Sequence, residues 1–262
     1  MTFGAELWLA GLLAMLLVML AVWLLSEWVA NAGIVDVAWA AGFSVLGVLY
    51  AARGTGWEPR RLAWSGVVSL WSLRLAGHLL ARVVAEHPVE DGRYRQLRRD
   101  WPERRRLKFL GFFLLQGVLD SALSLPFLAG CLNGASRASA LEWAGLALWA
   151  VAILGEAGAD AQLRRFKADS ANRGRVCREG LWRFSRHPNY FFEWLVWCAY
   201  ALAASAAPWG WLTVYCPLLM LWFLFRVTGI PLTEQQALRS RGDAYRAYQA
   251  TTSAFVPWFP RA

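Results

Sequence analysis

Seven stretches of this chain are apolar over roughly 20 residues, the length that a helix needs to cross a bilayer. They cover about 5–27, 34–52, 62–82, 109–132, 140–162, 189–206 and 208–230. The chain is 58% hydrophobic and only 17% charged, whereas soluble domains carry about 25% charged residues. We therefore predict an all-α integral membrane bundle of seven transmembrane helices that forms a single domain, residues 1–262. A short interfacial helix, with Thr233 as its N-cap, is expected near the C-terminus.

The basic residues predict the orientation of these helices. Segments 83–108 and 163–188 contain eight Lys and Arg residues each and segment 231–262 contains four, against four in the loops of the opposite side. Positive charge accumulates on the cytosolic side, so we expect the N-terminus outside and the C-terminus in the cytosol, which requires an odd number of spans. The first stretch has no preceding basic residue and no small-residue cleavage site, so we expect a retained helix.

The net charge of +9 could suggest nucleic acid, but it is concentrated on one membrane face. This placement favours anionic lipid headgroups or a large anionic cofactor. We expect a bilayer and a lipophilic small molecule as partners, with no nucleic acid and no obligate protein partner. The four scattered cysteines lack ligand or disulfide spacing, so no metal site is expected. The chain has no GxGxxG and no P-loop, so a dinucleotide would be held outside a Rossmann fold.

Ionisable residues occur inside the apolar stretches, where charge is costly and usually functional. Asp36 lies at the start of the second stretch, and Arg74 and His78 lie four residues apart on one face of the third. At the end of the fifth stretch, four residues recur at spacings of three and four: Glu156, Asp160, Arg164 and Lys167. Glu193 opens the sixth stretch and Arg226 closes the seventh.

The alternative is that these charges pair with one another and lock the bundle. We favour such pairing, or exposure at the membrane interface, for Asp120 and Glu142. Three carboxylates beside an arginine-rich loop favour a polar chamber instead: Glu156, Asp160 and Glu193.

The stretch 180–193 places arginine, histidine, asparagine and glutamate between two apolar stretches. Pro188 forces His187 away from helical geometry, so the chain turns and restarts as a helix. Ser185, Asn189 and the first N–H groups of that helix are then free to hold an anion or a ribose. The alternative is an amphipathic loop that tethers the helix to lipid headgroups.

Two further segments complete this face. In the loop after the third stretch, Arg93 and Arg95 suit phosphate oxygens and Tyr94 suits stacking on a base. The C-terminal helix, which carries Glu234, either floors the site or anchors the chain at the interface.

The segments Asp160-Ala161-Gln162-Leu163, Gly180-Leu181-Trp182 and Ser185-Arg186-His187-Pro188-Asn189-Tyr190, followed by Glu193 and a Tyr-rich tail, resemble the steroid 5α-reductase family, closest to its bacterial membrane branch. The resemblance covers most of the chain and is specific mainly in residues 155–193. It implies a seven-helix enzyme of the bacterial inner membrane that holds NADPH on the cytosolic side. Such enzymes reduce the C4–C5 double bond of 3-oxo-Δ4-steroids.

In this resemblance Asp160, Asn189 and Glu193 match cofactor-binding residues, and Glu156 stands where reductases often have asparagine. Arg93 and Arg95 fall where the family has arginines near the phosphates. The expected cofactor site is completed by Tyr94, Arg164, Lys167, Ser185, Arg186, His187, Tyr190, Arg226 and Glu234. The expected catalytic residues are Asp36 and His78. They are the nearest candidates in this chain for two family residues that hold the steroid ketone, a glutamate on the second helix and a tyrosine on the third. Both identities differ, so the substrate is either a 3-oxo-Δ4-steroid or a similar lipophilic enone.

Reduction of an enone places negative charge on the ketone oxygen as hydride arrives, and a donor at that oxygen stabilises the transition state. His78 can donate, and Asp36 can do so only when protonated. Alternatively, ionised Asp36 orients His78. Two rival functions remain. One is an S-adenosylmethionine-dependent methyltransferase of the isoprenylcysteine type, for which the phosphate-binding arginines are superfluous. The other is a transporter, for which an inverted repeat is expected but absent.

Overall fold

The computed structural model describes residues 2–227 and 229–261, and the regular structure of these residues is helical. The chain divides into two compact units, which are described separately. The first runs to Ala138 and includes Ala206–Gly210, and the second holds Ser139–Ser205 and the residues from Trp211 onward. The predicted all-α class is confirmed.

The helices of the first unit are α1 (Thr2–Trp28), α2 (Ile34–Arg53), α3 (Glu58–Glu86), α4 (Gly92–Asp100), α5 (Arg105–Leu123) and α6 (Leu125–Leu132). Polar contacts between apolar surfaces fix their register. Trp8 Nε1 of α1 donates to the Ser121 carbonyl of α5 at 2.8 Å. Ser44 Oγ of α2 donates to Ser72 Oγ of α3 at 2.7 Å. Buried Phe43 of α2 packs on Trp71 of α3, with ring centroids 5.3 Å apart.

The predicted fourth span is interrupted between α5 and α6. Pro126 lies in the first turn of α6. Proline lacks an N–H, and its ring collides with the carbonyl four residues earlier, so a continuous helix through this position is disfavoured. The predicted span over 109–132 lies within Arg105–Leu132, which forms one apolar segment, but the helix is broken at Ser124 within it.

The helices of the second unit are α7 (Ala140–Ala168), α8 (Pro188–Ala204), α9 (Tyr215–Arg226) and α10 (Ile230–Thr251), with 3₁₀ turns at Ser170–Asn172, Gly180–Arg183 and Gly210–Val214. Helix α7 begins with a capping box in which Ser139 and Glu142 bond each other's backbone N–H. Glu142 therefore acts as a cap of α7. Gly145 of α7 lies so close to α8 that a Cβ would approach the Ala199 carbonyl to 2.9 Å, the close helix packing common in membranes.

Helix α10 differs from the expected C-terminal helix. It begins at Ile230 after Gly229, and Thr233 lies inside it with Oγ1 donating to the Gly229 carbonyl at 3.0 Å. The predicted N-cap at Thr233 was therefore wrong. The helix is also kinked at Gly242, whose φ of 49° and ψ of −124° are not helical. The kink returns the chain towards its start, since Gln249 lies against Glu234, whereas 15 residues of straight helix would separate them by about 22 Å.

Among the described residues, six segments contain an apolar stretch long enough to cross a membrane: Gly4–Trp28, Ile34–Arg53, Glu58–Glu86, Arg105–Leu132, Ala140–Ala168 and Gly210–Thr251, the last of which ends in the polar helix α10. These correspond to six of the seven predicted stretches. The remaining stretch, 189–206, forms α8, which has 17 residues and is short for a span. On α1, leucines at positions 9, 13, 17 and 24 are each more than half exposed, as expected of a lipid-facing surface. The chain is an integral membrane protein.

Candidate functional site

The start of α2 carries a polar group that we call the Asp36 cluster: Asp36, Arg82, Asp91, Arg93 and Tyr94. Tyr94 donates its hydroxyl to Asp36 Oδ1 at 2.6 Å, and Arg93 Nη2 donates to Asp36 Oδ2 at 2.7 Å. Asp91 caps α4 by accepting from the Arg93 backbone N–H at 2.9 Å. Arg82 lies 3.9 Å from Asp36 and 3.4 Å from Asp91. The structure thus joins three predicted site residues through direct contacts.

Electrostatics reinforces this cluster. Burial opposes the charge on the Arg93 guanidinium, but Asp36 and its other acidic neighbours outweigh burial and raise the pKa of Arg93. Burial likewise opposes the charge on Asp91, but Arg93 outweighs it and lowers the pKa of Asp91. Asp36 is thus an acceptor between two donors. Tyr94 is 2% exposed, and its ring packs on Phe112, so in this conformation the protein covers the ring that was predicted to stack on a base.

Two further predicted residues lie in the same unit. His78 is half-buried on α3, and Arg95 is exposed on α4. A contact that the sequence did not predict fixes α4: Glu90 accepts from the Ala32 backbone N–H at 2.6 Å and from Arg98 Nε at 2.7 Å. This carboxylate ties the start of α2 to α4. The pair Glu90-Asp91 before a short polar segment is a helix N-terminus signal that could have identified it.

In the second unit, α7 and α8 present what we call the carboxylate cluster: Glu156, Asp160, Asn189 and Glu193. Glu156 and Asp160 are 4% and 7% exposed and lie one turn apart on α7. Asn189 Nδ2 donates to Asp160 Oδ1 at 3.2 Å, which links the first turn of α8 to α7. One turn further along α8, Glu193 accepts from Trp197 Nε1 at 3.1 Å. The structure thus brings Asp160 and Asn189 into contact, while Glu156 and Glu193 each lie one turn away from them, on α7 and α8 respectively.

The 3₁₀ turn Gly180–Arg183 is fastened to α7 beside this cluster. Trp182 Nε1 donates to the Ala159 carbonyl at 2.9 Å, and the Leu181 backbone N–H donates to Gln162 Oε1 at 2.9 Å. Gly180 has a φ of +57°, and a Cβ there would lie 2.5 Å from Gln162 Oε1. Glycine is required at this position by both backbone conformation and space.

The loop after this turn forms a second polar group, the tail clamp: Ser185, Arg186, His187 and Glu234. Arg186 Nε donates to Glu234 Oε1 at 2.7 Å, and His187 Nε2 lies 3.3 Å from the same oxygen. Arg186 Nη1 also donates to the backbone carbonyls of Gln249 and Thr252. Ser185 Oγ donates to the Phe255 carbonyl at 2.8 Å.

Backbone geometry at the clamp agrees with the sequence prediction. His187 is not helical, with φ −137° and ψ 58°, and α8 begins at Pro188. The ring of Tyr190 stacks on that of His187 at 5.3 Å and an interplanar angle of 6°. However, the polar atoms of Ser185 and Arg186 that were predicted to meet a cofactor bind the C-terminal segment. In the structure these residues position the loop.

Charge on Glu234 is stabilised by its neighbours. Burial raises its pKa, but hydrogen bonds with His187, Arg186 and Gln249 outweigh burial and lower the pKa to about 2. The clamp therefore contains a carboxylate that stays ionised over the physiological range. The cations of this unit that the structure leaves exposed include Arg164, Lys167, Arg173, Arg175, Arg183 and Arg226.

Asp120 differs from its predicted environment. It is 0% exposed on α5, and neither carboxyl oxygen has a hydrogen-bond partner among the described residues. A Cβ on Gly42 of α2 would lie 3.0 Å from Asp120 Oδ2, so this carboxyl packs against α2. The predictions of pairing and of interfacial exposure were both wrong in the described part of the chain. An amphipathic pattern shows that a residue lies in a span, but not which neighbours pack around it.

Comparisons with known proteins agree with the membrane class. An uncharacterized protein of Schizosaccharomyces pombe, C594.04c, is 26% identical over 279 residues, which cover 94% of this chain and 78% of that protein. No solved structure gives a significant match. The family described as "Protein of unknown function (DUF1295)" matches residues 22–252, which include both polar clusters and the tail clamp. The chain belongs to this family.

Proposed function

We propose that the protein is an NADPH-dependent reductase that adds hydride to the double bond of a lipophilic enone, a 3-oxo-Δ4-steroid or a similar molecule, within a bacterial inner membrane. The observation that carries the proposal is the carboxylate cluster. Glu156 and Asp160 are buried acceptors on α7, and Asn189 joins them from α8. Carboxylate oxygens are acceptors for hydrogen-bond donors, and a nicotinamide amide and ribose hydroxyls are donors of this kind.

The residues of the second unit suit NADPH in two respects. The carboxylate cluster offers acceptors to the nicotinamide nucleoside, and the exposed arginines of 164–183 offer bidentate donors to phosphates. S-adenosylmethionine has no phosphates, so these arginines favour the reductase over the methyltransferase. The resemblance in residues 155–193 to steroid 5α-reductases supports the same choice. When bound, NADPH supplies the hydride.

The role of the protein at the substrate is to stabilise charge on the ketone oxygen. Asp36 accepts hydrogen bonds from Arg93 and Tyr94, so both of its carboxyl oxygens already have donors within this unit. His78 on α3 is then the residue to which we assign donation to the ketone. Hydride would add to the β-carbon of the enone, and the π electrons of the double bond would shift to give an enolate with negative charge on the ketone oxygen. As the C=O bond forms again, the α-carbon would take a proton from water, which leaves hydroxide.

The proposed orientation includes α8 as a seventh span, with the N-terminus outside and the C-terminus in the cytosol. This arrangement places the basic segments 83–108 and 163–188 on the cytosolic side, where NADPH is available. It is supported by the distribution of basic residues, because an N-terminus outside and a C-terminus in the cytosol require an odd number of spans.

Ligand-dependent thermal stability tests the proposal. The detergent-purified protein is heated with equal concentrations of NADPH, NADH or S-adenosylmethionine, since a ligand that binds only the folded state raises the Tm. We expect the largest rise with NADPH, and NADPH oxidation when a steroid enone is added. A rise with S-adenosylmethionine alone would overturn the reductase and favour the methyltransferase.

A further inference from the structure

The start of α5 carries an exposed basic surface, which we call the basic rim: Arg104, Arg105, Arg106 and Lys108. All four side chains are exposed. The rim directly precedes the apolar part of Arg105–Leu132, one of the membrane-crossing segments. It therefore lies where a spanning helix leaves the apolar part of the bilayer.

A contact to α1 places a second span end beside the rim. Arg106 Nε lies 3.0 Å from Glu27 Oε2, in the last turn of α1. The next residue, Trp28, is 83% exposed, and tryptophan at the end of a span is typical of the headgroup level. Two spanning helices thus meet the membrane surface at the rim.

The positive charge of the rim is largely uncompensated within the protein. Glu27 pairs with Arg106, whereas Arg104, Arg105 and Lys108 have no ion pair among the described residues. The adjacent Glu103 is exposed and likewise has no ion pair in this part of the chain. Even with both glutamates counted, four cations leave a net positive surface.

This charge does not stabilise α5. The N-terminus of a helix is the positive end of its dipole, so cations there are unfavourable by about 0.3–1 kcal/mol each. Helix α5 also lacks a side-chain cap, and Arg104 at the N-cap position has a φ of 50°. A partner outside the helix accounts better for three consecutive arginines.

We propose that the basic rim is a binding surface for the anionic headgroups of phospholipids in the adjacent leaflet. Phosphate oxygens would accept paired hydrogen bonds from the guanidinium groups of Arg104 and Arg105, and Lys108 would add a point charge. A basic residue at an anionic membrane surface strengthens binding considerably. The exposed Leu107 and Trp28 offer apolar surface next to the rim. This inference is independent of the proposed reductase activity.

A lipid titration tests the rim. Delipidated full-length protein in detergent is titrated with phosphatidylglycerol or phosphatidylcholine while the Tm is followed. We expect phosphatidylglycerol to stabilise the wild-type protein, and the variant Arg104→Gln/Arg105→Gln/Lys108→Gln to need at least about tenfold more of it for half-saturation. Phosphatidylcholine should affect both proteins equally, and added salt should weaken the phosphatidylglycerol effect.

A matched control removes the same charge elsewhere. Arg137→Gln/Arg239→Gln/Arg261→Gln changes three exposed arginines outside the rim and outside segment 164–183 and should retain wild-type half-saturation. If both triple variants lost phosphatidylglycerol binding equally, the effect would depend on net charge alone, and the assignment of the site to the rim would be overturned. Full stabilisation by inorganic phosphate alone would overturn the assignment to lipid. If the rim variant does not purify, Arg105→Gln alone should weaken phosphatidylglycerol binding a few-fold, and an unchanged value would contradict the proposal.

Discussion

At the scale of single residues, Glu234 illustrates how a buried acceptor links two parts of the chain. Its folded pKa of about 2 lies below the ordinary value of 4.5. Ionised Glu234 therefore stabilises the fold fully above about pH 5, and this contribution disappears as the pH falls through 4.5 towards 2. The difference corresponds to a stabilisation on the order of 3 kcal/mol.

We expect Glu234→Gln to lower the Tm at pH 7 by several degrees, because the amide cannot replace an ionised acceptor for Arg186 and His187. As the pH falls from 5 to 3, wild-type stability should approach that of the variant. Thermal unfolding across this pH range measures the effect, with Glu179→Gln, a change at an exposed glutamate, as control. A constant difference between wild type and Glu234→Gln at every pH would contradict the assigned pKa.

The carboxylate cluster predicts a loss of cofactor binding on removal of Asn189 or Glu193. Asn189→Ala removes the donor to Asp160 and should abolish most of the stabilisation by NADPH, and Glu193→Ala should do the same. Asn172→Ala removes an amide that bonds the Phe166 carbonyl and should leave the NADPH effect intact. Unchanged NADPH stabilisation in both site variants would refute the assigned site.

His78 predicts a different outcome. His78→Ala should reduce enone turnover by about 10²-fold or more, as expected for the loss of a transition-state donor, while NADPH still raises the Tm. Steady-state rates and thermal shifts on the same preparation separate the two effects. Normal turnover would remove His78 from the mechanism without affecting the cofactor site.

Residue type predicted which side chains are polar and important, but not their partners. The sequence placed Arg186 in the cofactor site, whereas its nitrogens meet Glu234, 48 residues away, and two backbone carbonyls 63 and 66 residues away. Nothing local in a sequence encodes such a separation. Asp160 and Asn189 were both predicted to belong to the cofactor site, and the structure joins them by a hydrogen bond between α7 and the first turn of α8.

At the scale of elements, the Gly180–Arg183 turn positions Trp182 against α7. We expect Gly180→Ala to destabilise the protein by roughly 2–3 kcal/mol, from left-handed strain of about 1–2 kcal/mol and displacement of the Gln162 amide that holds Leu181. Gly174 has a φ of +81° but no atom within 4 Å of an added Cβ, so Gly174→Ala should cost only the strain. Chemical denaturation measures the free energy of unfolding of both variants. Equal losses of stability would show that the Gln162 side chain moves away from the added Cβ without cost.

Long apolar stretches predicted six membrane segments correctly, because length and hydropathy are local properties. Shorter features were missed. The polar helix α4, with Asp91 as its N-cap, had been interpreted as loop, since its arginines obscured its helical pattern. The break before α6 and the kink at Gly242 depend on single residues inside otherwise regular segments.

At the scale of the whole molecule, the decisive property is whether the number of membrane-spanning helices is odd or even. If α8 crosses the membrane, residues 171 and 211 on either side of it lie on opposite faces. We expect an impermeant maleimide added to intact cells to label Trp211→Cys but not Ala171→Cys, in a chain whose four free cysteines are replaced by serine. Gly134→Cys, in the loop before α7, should be labelled as a control. Labelling of 171 and 211 from the same side would show that α8 lies in the membrane without crossing it.

The hydrogen bonds of the tail clamp also set an order for biosynthesis. The Arg186 backbone N–H donates to the Ser253 carbonyl, Ser185 Oγ donates to the Phe255 carbonyl, and the Trp258 N–H donates to the Phe184 carbonyl. A ribosome that has just translated α10 has supplied Glu234 and Gln249, but not yet these three partners of the loop. A nascent chain can insert into the bilayer as it emerges, but its central loop makes all of these hydrogen bonds only after residues 253–258 have been translated.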